Sequence, residues 1–257
     1  MVPRLEISRL SKSFAKVKVV DNISFSIAPG QVTCLLGPSG CGKSTTLRMI
    51  AGVEDTDEGV VTIDGRTVAN DQFNDPPESR SIGLIFQDFA LFPHLNVFEN
   101  VSFGLESKFK NKDKRTNELL ERVGLQNFSL KYPHQLSGGE QQRVALIRAL
   151  APKPKIMLMD EPFSGLDDRL RDGIRDETLS VLKEEGTAVL LVTHDPYEAM
   201  CMADEIAIMR KGKIVQKGSP YNIYNSPIDK TSAAFFSEIN VIKGYSKGSL
   251  TYTPFGR

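Results

Sequence analysis

The sequence has 257 residues, 40% of them hydrophobic and 25% charged, which is typical of a globular protein with a sizeable core. Its 32 basic residues balance 32 acidic ones, so no overall charge excess would attract nucleic acid or acidic lipid. No apolar run reaches the roughly 18 uninterrupted residues that a membrane-spanning helix requires.

The cysteines and the N-terminal residues indicate the cellular compartment in which the chain works. Cys34, Cys41 and Cys201 have neither metal-ligand nor CxxC spacing, which fits free thiols in a reducing environment. The first residues lack the apolar stretch of a secretory signal. We therefore expect the chain to work on the cytoplasmic side, so any role at a membrane would need a partner that spans it.

Short apolar runs alternate with helical stretches, a pattern typical of an α/β domain with a mostly parallel sheet. Runs that are apolar on both faces predict four buried strands: Val32–Leu36, Ile82–Phe86, Ile156–Met159 and Ala188–Thr193. The remaining pattern predicts helices at Lys43–Ala51, Asp113–Val123, Gly138–Ala149, Arg169–Glu185 and Asp195–Met202.

Two glycine-containing dipeptides predict hairpin turns. Asp64-Gly65 and Lys211-Gly212 each separate two apolar runs, so we expect antiparallel strands beside the parallel core. Residues of about 88–150 read mostly as helix and loop, which predicts a helical subdomain.

A glycine-rich segment joins the first predicted buried strand to the first predicted helix, and it matches the phosphate-binding pattern G-x4-G-K-S. Its glycines let the backbone turn and aim N–H groups at phosphate oxygens, and the helix start adds the positive end of its dipole. We expect Lys43 to reach the terminal phosphates of ATP and Ser44 to bind Mg²⁺. The predicted ATP-binding residues here are Gly37, Pro38, Ser39, Gly40, Cys41, Gly42, Lys43, Ser44 and Thr45.

Cys41 lies inside this loop, just before the predicted helix. Because a helix N-terminus favours a thiolate, we expect the pKa of this thiol to be lowered. Alkylation of Cys41 would then block ATP binding.

The third predicted buried strand is followed by two acidic residues, Asp160 and Glu161. Carboxylates at the C-terminal edge of such a strand lie in the crevice where α/β sheets bind ligands. Downstream of a phosphate loop, we expect Asp160 to hold Mg²⁺ and Glu161 to orient or deprotonate the attacking water. Alone, such a strand end is more often simply solvated.

A second candidate anion site lies at residues 137–141. Ser137 is a natural N-cap, and Glu140 completes a capping box. Capping does not explain two adjacent glycines, because each costs a helix on the order of 1 kcal/mol; close approach of a phosphate does. The predicted residues are Ser137, Gly138, Gly139, Glu140 and Gln141.

The sequence Leu136 to Arg143 resembles the signature of ABC transporter ATPases, and the other motifs occur in that family's order. The resemblance covers about residues 4–240 and implies one ABC ATPase domain over residues 1–240. Its implied fold is a P-loop NTPase core with a mostly parallel sheet, an antiparallel β subdomain and an α-helical subdomain. It also implies that Ser137–Gln141 closes over ATP held by a neighbouring subunit, in a head-to-tail pair.

The resemblance implies roles for four more residues. Gln87 matches the glutamine that touches Mg²⁺ or water, although it also reads as an ordinary strand end. His194 matches the histidine at the γ-phosphate or attacking water, Asp167 the D-loop aspartate, and Phe14 the aromatic that stacks on adenine. A lone histidine is usually structural and an aromatic near a strand is usually core. The two other histidines, His94 and His134, gain no such support and read as loop residues.

Residues Phe89–Val101 contain several apolar side chains in a loop-like stretch. This predicts either an apolar groove or burial inside the helical subdomain. The stretch resembles the segment with which importer ATPases grip a cytoplasmic helix of their membrane-spanning partner. On that resemblance we expect a peripheral homodimer at the cytoplasmic face of the inner membrane, which serves a solute-binding protein indirectly.

Leu91–Leu105 and Leu170-Arg171 look most like importer ATPases for sugars, polyamines, sulfate and ferric iron. Residues 241–257 resemble the opening of their C-terminal regulatory β domain, so we expect a truncated or vestigial form of it. Thr253 to Gly256 favour the ferric-iron members. The alternatives are polyamine, sugar or sulfate import, or a non-transport ABC ATPase acting on nucleic acid, which neutral net charge disfavours.

Overall fold

The computed structural model describes residues 2–105, 111–166 and 168–255, with the side chains of residues 168–170 outside the description. The strands are β1 (Leu5–Phe14), β2 (Val17–Ile27), β3 (Val32–Leu36), β4 (Glu58–Ile63), β5 (Arg66–Ala69), β6 (Ile82–Ile85), β7 (Ile156–Asp160), β8 (Ala188–Thr193), β9 (Glu205–Arg210), β10 (Lys213–Gly218), β11 (Tyr245–Lys247) and β12 (Leu250–Tyr252). The helices are α1 (Lys43–Ala51), α2 (Val97–Ser102), α3 (Lys112–Arg122), α4 (Gly138–Leu150), α5 (Asp168–Glu184), α6 (Pro196–Met202), α7 (Pro220–Asn225) and α8 (Lys230–Ala233).

A six-stranded sheet forms the centre of the fold, in the order β10-β9-β3-β8-β7-β6. The pairs β9–β3, β3–β8, β8–β7 and β7–β6 are parallel. Every residue of β3, β7 and β8 is buried, as expected for strands covered on both faces. The predicted α/β class with a mostly parallel sheet is therefore confirmed.

Both predicted hairpin turns are present, with left-handed backbone at Asp64 (φ 51°) and Gly65 (φ 76°) and at Lys211 (φ 49°) and Gly212 (φ 80°). The first hairpin belongs to a separate antiparallel sheet of order β2-β1-β4-β5. The second differs from expectation, because β9 pairs in parallel with β3 and only β10 is antiparallel. The four inner residues of β9 are all buried, which favours this place in the central sheet.

Two hydrophobic clusters lie on opposite faces of the central sheet, as the alternation of β3 shows. Val32, Cys34 and Leu36 join the cluster that includes helices α2 to α6. Leu35 joins the other, with residues of α1 and the antiparallel sheet. Because side chains of a strand alternate between faces, the two clusters together fix the end of β3 from both sides. That end carries the phosphate loop.

Helices α2, α3 and α4 lie between β6 and β7 in the chain. Helix α2 was not predicted from the sequence, although Asn96 and Glu99 form a complete capping box at its start. The division into a helical subdomain at about 88–150 and a further domain from residue 241 stays a prediction. In the described ranges, no helix combines the length and apolar character needed to cross a membrane.

Candidate active site

The phosphate loop connects the end of β3 to the start of α1, as predicted. Gly40 and Gly42 have left-handed backbone, with φ of 77° and 107°. A Cβ at Gly37 would collide with the Met209 carbonyl oxygen, and a Cβ at Gly42 with that of Val19. Only glycine fits these two close approaches, so the loop is held tightly against β9 and β2.

Lys43 is 4% exposed and lies inside the loop. Its ammonium donates to the carbonyl oxygens of Gly37 at 2.7 Å and Pro38 at 3.1 Å. A buried ammonium needs such partners, and phosphate oxygens can provide equivalent ones. The loop therefore presents one positive charge where we expect the terminal phosphates of ATP to bind.

The expected lowering of the Cys41 pKa is wrong. The side chain is 5% exposed, and this burial raises the pKa of the thiol, against a smaller opposing effect of Lys43. The Lys43 ammonium approaches the sulfur only to 4.0 Å. Because desolvation is the largest cause, the thiol form of Cys41 is favoured over the thiolate.

Asp160 and Ser44 meet at the edge of the sheet. The Ser44 hydroxyl donates to the Asp160 carboxylate at 2.8 Å. Burial is the main cause that raises the pKa of Asp160, which is 8% exposed. A buried carboxylate and a hydroxyl are hard oxygen ligands that suit Mg²⁺, which uses few protein ligands and completes its shell with phosphates and water. The residues present therefore fit this ion.

Glu161 and His194 are in direct contact, which the sequence analysis did not anticipate. His194 Nδ1 lies 3.1 Å from Glu161 Oε1. Glu161 has a φ of 46°, a conformation uncommon for a residue other than glycine, and its N–H donates to the Val192 carbonyl at 2.8 Å. Such outliers concentrate at functional sites, and this one turns the carboxylate from the end of β7 toward the phosphate loop.

Two cavities surround these groups. One, of about 170 Å³, is lined by Val19, the phosphate loop and Glu161. The other, of about 530 Å³, is lined by Arg48, Phe86, Gln87, Asp88, Asp160, Ser164 and Gly165. The structure thus brings Gln87 to the Asp160 side of the loop, as the resemblance implies.

Arg48 is a residue of this site that the sequence analysis missed. A signal was present, because Ser44 and Arg48 are four residues apart on α1 and therefore share a face. The guanidinium contributes positive charge to the larger cavity, beside the carboxylate of Asp160.

Phe14 ends β1 and is 46% exposed, so it is not a core residue. It pairs with Val17 at the start of β2, the strand that continues to Val19 in the smaller cavity. Stacking of Phe14 on adenine stays a prediction, which this location suits.

Ser137–Gln141 starts α4 with the predicted capping box, in which the Ser137 N–H donates to Glu140 at 2.7 Å. A Cβ at Gly139 would lie 2.5 Å from Ile174 Cδ1, so α4 packs closely against α5 at this glycine. Gly138 is exposed and makes no such close approach. Neither cavity described above is lined by this segment. Within one chain, residues 137–141 therefore contribute no lining to these two cavities, although a Cβ at Gly138 would lie 3.9 Å from the carbonyl oxygen of Gly165, which lines the larger one.

Three other residues singled out in the sequence are Asp167, His94 and His134. Asp167 lies outside the described residues. His94 and His134 are exposed, and their rings lie beside Phe92 and Tyr132.

The strand, phosphate loop and helix beside two strand-end carboxylates define a P-loop nucleotide-binding protein. The family model described as ABC transporter matches residues 20–164, and the chain belongs to this family. Over 84% of its length the chain also resembles 98% of a solved structure, the dimeric ATP-binding cassette MJ0796 in a post-hydrolysis state bound to ADP and Pi. The TM-score is 0.72 and the identity 31%. The predicted ABC ATPase fold is thereby confirmed.

Curated relatives share much of this sequence. The chain is 46% identical to the putrescine transport ATP-binding protein PotG of Escherichia coli (strain K12), over 96% of the chain and 65% of that protein. It is 47% identical to the Fe(3+) ions import ATP-binding protein FbpC of Pseudomonas fluorescens, over 91% of the chain and 66% of that protein. The chain therefore spans just under two thirds of the length of these relatives.

Proposed function

We propose that this chain binds ATP with Mg²⁺ and hydrolyses it to energise solute import by an ABC transporter. The observation that carries the proposal is the convergence of Lys43, Ser44, Asp160 and Glu161 on one edge of the central sheet. The names of the curated relatives, which are import or transport ATP-binding proteins, support the direction of transport.

The chemistry follows from what each side chain can do. Lys43 and the loop N–H groups bind the terminal phosphates, and Mg²⁺ held by Ser44, Asp160 and Gln87 would neutralise part of their charge. Glu161 faces the loop cavity and accepts the proton of an attacking water or orients it. His194 holds that carboxylate through its Nδ1.

A second copy of the chain completes the site in this proposal. Ser137 and Gly138 are exposed at the N-terminal end of α4, where backbone N–H groups and the helix dipole favour an anion. They line neither cavity beside the loop of their own chain, and a head-to-tail homodimer would place them over the ATP of its partner. The comparison structure is a dimer, which supports pairing.

The membrane-spanning partner would dock on Phe89–Val101. Phe92 is half-buried, and its ring lies 4.4 Å from that of Phe103, which is 61% exposed. Asn100 is fully buried and donates to the carbonyls of Phe92 and Leu95, which fixes the loop shape. Much of Phe89–Val101 is buried in the core, so the accessible parts of Phe92 and Phe103 form the apolar surface that suits a helix of a permease at the cytoplasmic face of the inner membrane.

Ferric iron is the first candidate solute, as the C-terminal residues Thr253 to Gly256 and the similarity to FbpC favour it. Putrescine is the second, because the similarity to PotG extends over 96% of the chain. Both are cations, but solute selectivity belongs to the spanning and solute-binding partners.

Uptake in the native cell tests this function. We expect deletion of the gene to abolish import of either radiolabelled ferric iron or radiolabelled putrescine, and the intact gene to restore it. Complementation with Glu161→Gln should not restore uptake. Normal uptake of both solutes in the deletion strain would overturn the solute assignment, and an absence of ATPase activity in the purified transporter would overturn the function itself.

A further inference from the structure

Lys12 contacts the aromatic side chain that is predicted to meet the nucleotide base. It precedes Phe14 by two residues on β1, and its Nζ lies over the Phe14 ring at 5.4 Å from the centroid. A cation within about 6 Å of a ring centroid is attracted by the negative face of the ring. Lys12 is 8% exposed, whereas Phe14 is 46% exposed. One face of an accessible ring is therefore occupied by a buried cation.

Two carboxylates hold this cation in place. Lys12 Nζ lies 2.8 Å from Glu54 and 3.3 Å from Asp57. Burial lowers the pKa of Lys12, but hydrogen bonds to Glu54 and Asp57 outweigh it, and the net pKa is raised. Asp57 also accepts from the Ser13 N–H at 2.7 Å. The ammonium is consequently charged at neutral pH and fixed relative to the backbone that carries Phe14.

Glu54 also connects the β1–β2 hairpin to the helix that follows the phosphate loop. The Glu54 N–H and the Val53 N–H donate to the Arg48 carbonyl at 3.3 Å and 3.0 Å. Arg48 belongs to α1, the helix that begins at Lys43. A chain of direct contacts thus runs from the phosphate-binding helix through Glu54 and Lys12 to the Phe14 ring.

We propose that Lys12 is a positioning residue for the nucleotide base, which holds Phe14 by one face so that the opposite face stacks on adenine. This inference rests on the proposed function. A ring that is already held loses less freedom when the base binds. The cation also draws π-electron density from the ring, which reduces repulsion between the free face and the π-electrons of the base.

Affinity for ATP and for inorganic tripolyphosphate, measured by calorimetry in EDTA, separates the base from the phosphates. Lys12→Met removes the charge and keeps the side-chain length. We expect it to weaken ATP binding by about three- to tenfold and to leave tripolyphosphate binding unchanged. Lys12→Arg, which retains a cation that stacks on aromatic rings, should restore ATP affinity. Lys12→Gln replaces Lys12→Met if the latter does not fold.

Phe14→Ala provides the matched control through a double-mutant cycle. In that background, Lys12→Met should have no further effect on ATP affinity, because the ring on which it acts is gone. An equal loss of ATP and tripolyphosphate affinity, or the same loss with and without Phe14, would show a structural role and overturn the inference. If the wild-type chain binds neither ATP nor tripolyphosphate, the proposed function is overturned as well. If Lys12→Met binds ATP as tightly as the wild type does, only the inference is overturned.

Discussion

Three features of Glu161 fit the proposed role of general base. It faces the loop cavity, it is held by His194 at 3.1 Å, and its left-handed backbone turns it away from the end of β7. We expect Glu161→Gln to bind ATP normally and to lower the hydrolysis rate by at least about 100-fold. Single-turnover measurement of phosphate release, with ATP binding measured in parallel, checks this. Near-normal turnover would remove Glu161 from the catalytic role.

The buried carboxylate of Asp160 destabilises the folded chain at neutral pH. Its raised pKa means that the folded chain binds this proton more tightly than the unfolded chain does. The resulting stability is present below the unfolded value of about 3.9 and lost as pH rises through the folded pKa. Asp160→Asn keeps an oxygen for the Ser44 hydroxyl without the buried charge. We therefore expect its melting temperature, without nucleotide, to exceed that of the wild type by a few degrees at pH 7.

Urea unfolding at several pH values measures the difference in the free energy of unfolding between Asp160→Asn and the wild type. The advantage of Asp160→Asn should grow from about pH 4 upward and level off above the folded pKa. Asp64→Asn is the control of opposite sign, because hydrogen bonds from Lys155 and Arg4 lower the pKa of Asp64. That variant should lose stability at pH 7 relative to wild type. A destabilised Asp160→Asn at neutral pH would contradict the prediction.

The acids at the end of β7 were predictable because sheet edges in α/β folds collect ligand-binding side chains. The contact between Glu161 and His194 was not, since it depends on the positive φ of Glu161 and on the pairing of β7 with β8. The Cys41 prediction failed for a related reason. A helix start is visible in sequence, but the burial that dominates this thiol pKa depends on the fold, which places Cys41 in a hydrophobic cluster with residues of β1, β2 and β9.

Among the structural elements, the loop that follows Gln87 is held by hydrogen bonds to α4. Phe89 and Ala90 both have left-handed backbone, with φ of 59° and 45°. Arg148 on α4 donates to both of their carbonyls, at 3.0 Å and 2.7 Å. Hydrogen bonds to α4 thus compensate for unfavourable backbone angles, so a displacement of this loop would be transmitted to the helix that Ser137 caps.

Phe92→Asp tests the docking role of this loop. A charge on an apolar surface disfavours contact with a permease helix, whereas the nucleotide site is untouched. We expect the isolated variant to retain its ATPase activity and the complete transporter to lose solute uptake. Phe73→Asp is the matched control, because Phe73 is 44% exposed and follows β5 of the antiparallel sheet, outside Phe89–Val101. Unchanged uptake with Phe92→Asp would contradict a docking role.

The predicted strands and helices agree with the structure to within one residue at most ends, because fully apolar runs and helix caps are local signals. Helix α2 escaped prediction since its six residues are too few for a clear period. The place of β9 in the central sheet could not be predicted either, because it depends on pairing with the distant strand β3. The hairpin turn determines only the pairing of β9 with β10.

For the molecule as a whole, the positions of the phosphate loop and of Ser137–Gln141 predict ATP sites that two copies of the chain share. Lys43 and Ser137 lie on different helices, and the described cavities around the phosphate loop contain no residue of Ser137–Gln141. If each ATP lies between two copies, a defect in the loop and a defect in the signature affect opposite halves of one site. Lys43→Ala removes the phosphate-binding ammonium, and Ser137→Arg fills the N-terminal end of α4. Each variant alone should be inactive.

A mixture of these two variants should regain activity. Half of randomly formed dimers combine the intact loop of one chain with the intact signature of the other, and each such dimer has one complete site of two. The mixture should therefore reach up to about a quarter of the wild-type ATPase rate. The double variant Lys43→Ala/Ser137→Arg, mixed with either single variant, cannot form a complete site and should stay inactive. If the two single variants together are no more active than each alone, the chain does not share its sites in this way.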